Sequence, residues 1–121
     1  MSATFSLQSN PVGDDAHVIA LSGEVDLYTA PELKSKTVEL IDGGARRFVI
    51  DFTDTTFIDS TTLGVLLGTV KRLHPHGGKL ALVVSDKSIA RVFEVTGLDR
   101  VFDLHPDRPS ALRALGLVAA A

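Results

Sequence analysis

A short run of acidic and hydroxyl side chains, DSTT at residues 59–62, is the stretch of this sequence best suited to chemistry. It follows the hydrophobic pair at 57–58 and precedes an apolar segment with helical spacing. A serine at the start of a helix can cap it by accepting a backbone N–H group, and it can also accept a phosphate. The residue types alone favour capping by Ser60, and the two roles are compatible.

The neighbours of Ser60 point beyond a cap. Asp59 places a carboxylate beside the hydroxyl, and the β-branched Thr61 and Thr62 are poor choices merely to start a helix. A phosphate on Ser60 would add about −1.5 to −2 charges where the helix dipole favours an anion. We therefore expect phosphorylation to leave the helix intact and to change the affinity for a partner, through bulk and repulsion from acidic neighbours.

Two glycines lie on the same helix face as this serine. Gly64 and Gly68 follow Ser60 by four and eight residues. Each glycine costs about 1 kcal/mol of helix propensity relative to alanine. The face is smooth and small, so another surface can approach it closely. That surface is either a partner or the protein's own sheet.

Motifs of common catalytic sites are missing from the sequence. It has no Gly-x-Ser-x-Gly elbow, no phosphate-binding Gly-x-x-x-x-Gly-Lys-Ser/Thr loop and no Gly-x-Gly-x-x-Gly. His74, His76 and His105 are conceivable metal ligands, but the first two flank a proline in a glycine-rich turn and no cysteine joins them. Asp26 and Asp59 can pair only if folding brings them together. We expect no metal, no cofactor and no enzymatic activity.

The order of apolar and turn-forming segments predicts an α/β fold, a mixed sheet with helices on one or both faces. Predicted strands cover residues 4–8, 17–22, 48–52, 79–84 and 101–104, and predicted helices cover 29–42, 60–73, 85–96 and 107 onwards. The first two strands form a hairpin across a turn at 10–15, and a polar turn at 53–56 follows the third strand. Thr29 and Glu32 form a capping box.

Composition and charge restrict the class of protein. The length of 121 residues predicts one domain over residues 1–121 with a core at about 4–117, and the hydrophobic content of 45% predicts that it is folded. The net charge of −3 and the lack of a basic patch argue against nucleic-acid binding. The absence of cysteine fits a reducing compartment, and no signal peptide or membrane-spanning run is present. We expect a cytoplasmic protein that binds neither nucleic acid nor membrane.

Three blocks of the sequence resemble the signatures of the STAS domain. The closer resemblance is to the single-domain anti-sigma factor antagonists of bacteria, and it covers essentially the whole chain. The middle block is the most specific of the three. The blocks are GEVD with TAPEL at residues 23–33, FIDSTTLGVLL at 57–67 and VFEVTGL at 92–98.

This resemblance implies a small mixed sheet with flanking α-helices and a role in switching a sigma factor on during stress. Ser60 matches the serine that, in the family, is phosphorylated by an anti-sigma factor that is also a serine kinase. The unphosphorylated antagonist binds that kinase and frees the sigma factor, and a serine phosphatase restores the antagonist. ATP belongs to the kinase, so the resemblance implies that this chain is its substrate and not an enzyme. Apart from the resemblance, we expect a monomer when the protein is free. The implied partner-binding residues are Asp26, Asp59, Ser60, Thr61, Thr62, Gly64 and Gly68.

One residue departs from the family pattern. Members commonly have glycine two residues after the acceptor serine, where this chain has Thr62. This leaves Thr61 and Thr62 as alternative acceptors beside Ser60, and it can change which kinase docks. Two other readings stay open at this point. One is a scaffolding STAS protein of a sensory or transport assembly without a phospho-switch, and the other is a nucleotide-binding enzyme, for which no motif is found.

Overall fold

A computed structural model describes residues 4–117, which form a five-stranded mixed sheet with helices on both faces. The expected mixed α/β fold is therefore confirmed. The strands are β1 (Ser6–Val12), β2 (Ala16–Val25), β3 (Arg47–Ile58), β4 (Lys79–Val83) and β5 (Asp103–His105). The α-helices are α1 (Ala30–Asp42), α2 (Ser60–Leu73), α3 (Lys87–Thr96) and α4 (Arg108–Ala114). The alanine-rich end of the chain predicted to follow the last helix lies outside the described residues.

The five strands follow one another across the sheet in the order β1-β2-β3-β4-β5. β1 runs antiparallel to β2 as the expected hairpin, and the remaining neighbours are parallel. The hairpin turn is shorter than expected, because β1 continues to Val12 through Pro11. Proline is tolerated there since β1 is an edge strand, where a missing N–H removes no bond to a second neighbour.

β3 continues through residues 53–56, where the sequence predicted a turn, so that prediction was wrong. The last residues of β2 pair with this part of β3 as far as Val25 and Ile58, with two shifts of register on the way. β4 pairs with β3 only up to Asp51. Beyond that point β3 has one neighbouring strand and less cover, so Thr53, Asp54 and Thr56 are exposed, while Thr55 stays buried. Gly23 lies at the second shift with φ of +80°, a backbone conformation that favours glycine.

The core occupies both faces of the sheet. α1, α2 and α3 cover one face, and α4 covers the other. The first half of β3, at residues 48–52, and β4 from Leu80 onwards are buried on both sides, which explains why their sequences are mostly apolar and do not alternate. α4 is held in place by Arg108, whose Nη2 and Nε donate hydrogen bonds of 2.8 and 3.1 Å to Oδ2 of the buried Asp51.

Candidate functional site

The helix that carries Ser60 is capped by its neighbour. Asp59 has an extended backbone, and its Oδ1 accepts the N–H groups of Thr61 at 3.0 Å and Thr62 at 3.2 Å. Ser60 is the first helical residue, so the expectation that it caps α2 was wrong. A carboxylate at the N-cap accepts two N–H groups and complements the helix dipole, which leaves the following hydroxyl free. Ser60 is exposed, and its hydroxyl forms no hydrogen bond within residues 4–117.

Asp59 also connects α2 to the loop between β2 and α1. Its second oxygen, Oδ2, accepts the N–H of Leu27 at 3.2 Å. Oδ1 of Asp26 accepts the next N–H along the chain, that of Tyr28, at 2.9 Å. Folding thus brings Asp26 and Asp59 to one loop, as acceptors for consecutive amides. Both carboxylates are used to shape the loop that lies beside Ser60.

The start of α1 differs from the predicted capping box. The side chain of Thr29 does not cap the helix; its hydroxyl accepts the N–H of Asp26 at 2.9 Å and donates to the carbonyl of Glu24 at 2.8 Å. Its backbone carbonyl accepts the N–H of Glu32 at 3.0 Å instead. The hydroxyl is committed to the loop because Asp26 turns the chain back towards the end of β2. Residues 26–29 therefore form a tight, internally bonded loop.

Thr62 is completely buried, with 0% of its surface exposed. Its hydroxyl donates a 2.6 Å hydrogen bond to the carbonyl of Val25, the last residue of β2. The expectation that Thr62 contacts a partner directly is corrected by this burial, because its side chain points into the protein. Thr61 is half-buried and lines a groove on the surface. Ser60 is thus the exposed hydroxyl of the three.

Gly64 and Gly68 face away from the sheet. A Cβ added to Gly64 would meet no atom within 4 Å, and one added to Gly68 would meet the guanidinium of Arg72 at 3.2 Å. Close packing of these glycines against the protein's own sheet is therefore excluded. They line an open groove between α1 and α2 that also carries two cations, Lys34 and Arg72. The groove is lined by Pro31, Lys34, Thr61, Gly64, Val65, Gly68 and Arg72.

The exposure of two large side chains beside Ser60 was not predicted from the sequence. Leu27 is 61% exposed and Tyr28 is 86% exposed, in the loop that Asp59 holds against the start of α2. Large apolar side chains exposed next to one another are typical of surfaces that bind other proteins. The signal available in the sequence was an apolar pair between the acidic Asp26 and the first turn of a helix. Such a pair is also expected where a chain leaves a buried strand, so the sequence did not indicate that the two side chains are exposed.

The described part of the chain holds neither a candidate metal site nor a candidate membrane span. Among residues 4–117, no group of three or more histidine or acidic side chains is placed to hold a metal ion. His74 and His76 lie exposed in a short 3₁₀ turn. The helices in this range are too short or too polar to cross a membrane.

Comparisons with known proteins identify the family. The STAS domain family matches residues 9–111. The anti-sigma-B factor antagonist of Bacillus subtilis (strain 168) is 38% identical over 86 residues, which is 71% of this chain and 78% of that protein. That of Staphylococcus aureus (strain NCTC 8325 / PS 47) is 33% identical over 85 residues, covering 70% and 79% of the two chains.

A solved structure agrees over nearly the full length. The crystal structure of an anti-sigma factor antagonist from Mycobacterium paratuberculosis superimposes with a TM-score of 0.85 and 29% sequence identity, covering 96% of this chain and 99% of the other. The sheet and its flanking helices are therefore an architecture shared with a solved anti-sigma factor antagonist. This chain belongs to the STAS domain family.

Proposed function

We propose that this protein is an anti-sigma factor antagonist whose activity is switched by phosphorylation of Ser60. The observation that carries the proposal is the free, exposed hydroxyl of Ser60 at the first residue of α2. The relatives named above are anti-sigma-B factor antagonists. In this proposal the unphosphorylated protein binds an anti-sigma factor that is a serine/threonine kinase. That binding releases the sigma factor, and transcription of its genes follows.

Phosphorylation of Ser60 would change the surface without changing the fold. Asp59 already supplies the cap of α2, so modification of the hydroxyl removes no hydrogen bond. A phosphate at the first helical residue interacts favourably with the helix dipole, by about 0.3–1 kcal/mol. It also places about −1.5 to −2 charges beside the carboxylates of Asp26 and Asp59. A partner that fits the unmodified surface would meet added bulk and added negative charge.

The proposed docking face combines the exposed loop with the glycine face of α2. Leu27 and Tyr28 supply apolar side chains that can enter pockets of a partner. Gly64 and Gly68 supply a groove in which a partner's backbone can approach closely. Ser60 lies between these two features, because it is the first residue of α2, at the end of the helix nearest the loop. A phosphate there would interrupt the face at its centre.

ATP is bound by the kinase, so this protein acts as a substrate and needs no catalytic residues or cofactor of its own. A serine phosphatase that accepts the phosphorylated protein returns it to the binding form. The protein acts as a single domain over residues 1–121 and is a monomer when free. Its place is the bacterial cytoplasm, where a sigma factor meets RNA polymerase.

Phosphorylation and binding can be measured with the serine-kinase anti-sigma factors encoded in the protein's own genome. With one of these kinases and ATP, mass spectrometry should find one phosphate, on Ser60. Ser60→Ala should bind the kinase and remain unmodified. Ser60→Asp should bind at least about tenfold more weakly while its thermal unfolding stays close to that of the parent.

A matched control is available in α3. Ser88 also lies in the first turn of a helix capped by an aspartate, but its hydroxyl hydrogen-bonds Asp86. Ser88→Ala should therefore be phosphorylated and bound like the parent protein. If no such kinase forms a complex, or if no phosphate appears on Ser60, the proposal fails. The scaffolding role without a phospho-switch would then be the better account.

A further inference from the structure

The hydroxyl of Thr62 joins two elements that the chain reaches far apart in sequence. Thr62 lies in the first turn of α2, and Val25, whose carbonyl it hydrogen-bonds at 2.6 Å, ends β2. The N–H of Thr62 donates to Asp59, whose other oxygen accepts the N–H of Leu27. Thr62 therefore fixes the junction of β2 and α2 in two ways: its side chain bonds the end of β2, and its backbone bonds the aspartate that holds the following loop.

We infer that Thr62 is a positioning residue, which holds the loop at residues 26–29 and the start of α2 in the arrangement that presents Ser60. Its consequence for phosphorylation rests on the proposed function. Threonine is stiff about χ1 because it is β-branched, so a buried hydroxyl held at 2.6 Å has little freedom to move. A polar group buried without a partner is costly, so the Val25 carbonyl favours the bonded arrangement.

The same contact separates the roles of the three consecutive hydroxyls. Thr62 is fully buried and its hydroxyl is bonded, so a kinase cannot reach it without opening the junction. Thr61 is half-buried at the edge of the groove. Ser60 is exposed and its hydroxyl is free within residues 4–117. Thr62 thus contributes to selecting Ser60 as the acceptor, by fixing the first turn in one orientation.

Hydrogen exchange measured by NMR on the isolated protein tests this inference without any partner. Thr62→Val keeps the shape of the side chain and removes the hydroxyl. It should speed exchange of the Leu27 and Thr61 amides by about tenfold or more. Thr62→Ser keeps the hydroxyl and should stay within about threefold of the parent. In the unaltered protein, the Thr62 hydroxyl proton should be observable, with a cross-peak to Val25.

Thr69→Val is the matched control. Thr69 is also a fully buried threonine of α2, but its hydroxyl donates to Val65 within the same helix, at 2.9 Å, and its contact outside that helix is a longer one of 3.5 Å to Thr37 of α1, away from the junction. Its replacement should leave exchange at Leu27 and Thr61 unchanged. Equal acceleration by Thr69→Val, or no acceleration by Thr62→Val, would overturn the inference. Should Thr62→Val fail to fold, a Thr62 hydroxyl proton that exchanges freely in the parent protein would overturn it as well.

Kinetics with the kinase add a readout that a purely structural role would not change in this way. Thr62→Val lowers the population of the conformation that binds the kinase but leaves the hydroxyl of Ser60 intact. KM for the antagonist should therefore rise about tenfold, with kcat within about twofold. Thr62→Ser should restore KM, and Thr69→Val should not alter it. An unchanged KM in Thr62→Val would overturn the role in presenting Ser60. If the parent is not phosphorylated at all, the proposed function fails, while the exchange experiment still decides whether Thr62 holds the junction.

Discussion

Replacing Asp59 by alanine should destabilise the protein, whereas replacing Ser60 by alanine should not. Asp59 accepts two N–H groups at the start of α2, and loss of such a cap costs about 1 kcal/mol. Loss of the negative charge beside the helix dipole adds about 0.3–1 kcal/mol. The amide of Leu27 lies in an exposed contact, where water can replace Oδ2 of Asp59. The expected loss for Asp59→Ala is therefore about 1–2 kcal/mol.

Ser60→Ala changes much less. The serine is exposed and its hydroxyl has no partner within residues 4–117, so no hydrogen bond is lost. Alanine has the higher helix propensity, by about 0.5 kcal/mol at most, so the effect on stability is small and, if measurable, favourable. The difference between the two variants identifies which of two adjacent side chains caps α2.

Urea unfolding followed by circular dichroism is the suitable assay. With an m-value of about 1.5 kcal/mol/M, the midpoint for Asp59→Ala should fall by about 0.7–1.3 M, while that for Ser60→Ala stays within about 0.3 M of the parent. Asp59→Asn retains an acceptor oxygen and loses the charge, so it should lie between them. A loss of about 1 kcal/mol in Ser60→Ala together with none in Asp59→Ala would refute the assignment of the cap, and with it the claim that phosphorylation leaves the helix cap untouched.

Three further predictions concern the glycine face, the attachment of α4 and the dependence on pH. Gly64→Ala should raise the free energy of unfolding by up to about 1 kcal/mol, because a Cβ there meets open space and alanine favours a helix. It should nevertheless weaken binding of the anti-sigma factor, measured by calorimetry. A less stable variant would contradict this prediction. Arg108→Ala leaves the buried carboxylate of Asp51 without its cation and should cost about 1–3 kcal/mol in urea unfolding, with an effect below about 0.5 kcal/mol counting against a role in holding α4. Hydrogen bonds from the Ser88 hydroxyl and from two backbone N–H groups lower the pKa of Asp86 below its ordinary value of 3.8. The stabilisation by Asp86 is thus present above the ordinary pKa and is lost as the pH falls through the lowered pKa. The difference in Tm between the parent and Asp86→Ala should therefore be largest near neutral pH and vanish in strong acid. A difference that grows on acidification would contradict this sign.

The sequence predicted the elements better than their boundaries. Helix α3 was recognisable because Asp86 and Gly97 are strong local start and stop signals, and both serve as caps in the structure. The continuation of β3 through residues 53–56 was not, because it depends on pairing with the distant end of β2. Local polarity predicted a turn there, and pairing between strands far apart in sequence outweighed it.

The cap of α2 illustrates a limit of a different kind. Asp59 and Ser60 are both good N-cap residues, and shifting the start of the helix by one position exchanges their roles. Only the backbone conformation decides, and it places Asp59 in an extended conformation outside the helix. The exposure of Leu27 and Tyr28 was equally hidden, because apolar type predicts burial and says nothing about a loop held outward by two carboxylates.

The division of roles among residues 59–62 determines whether phosphorylation of Ser60 changes the stability of the protein or only its surface. If Ser60 capped α2, its modification would remove a hydrogen bond and couple the phosphorylation state to helix stability. Here Asp59 caps the helix, Thr62 fastens it to β2, and Ser60 takes no part in either contact. The phosphorylated and unphosphorylated forms should therefore differ little in stability and much in the surface that they present. A switch built in this way acts through the partner, because only a partner that docks over Ser60 meets the new charge.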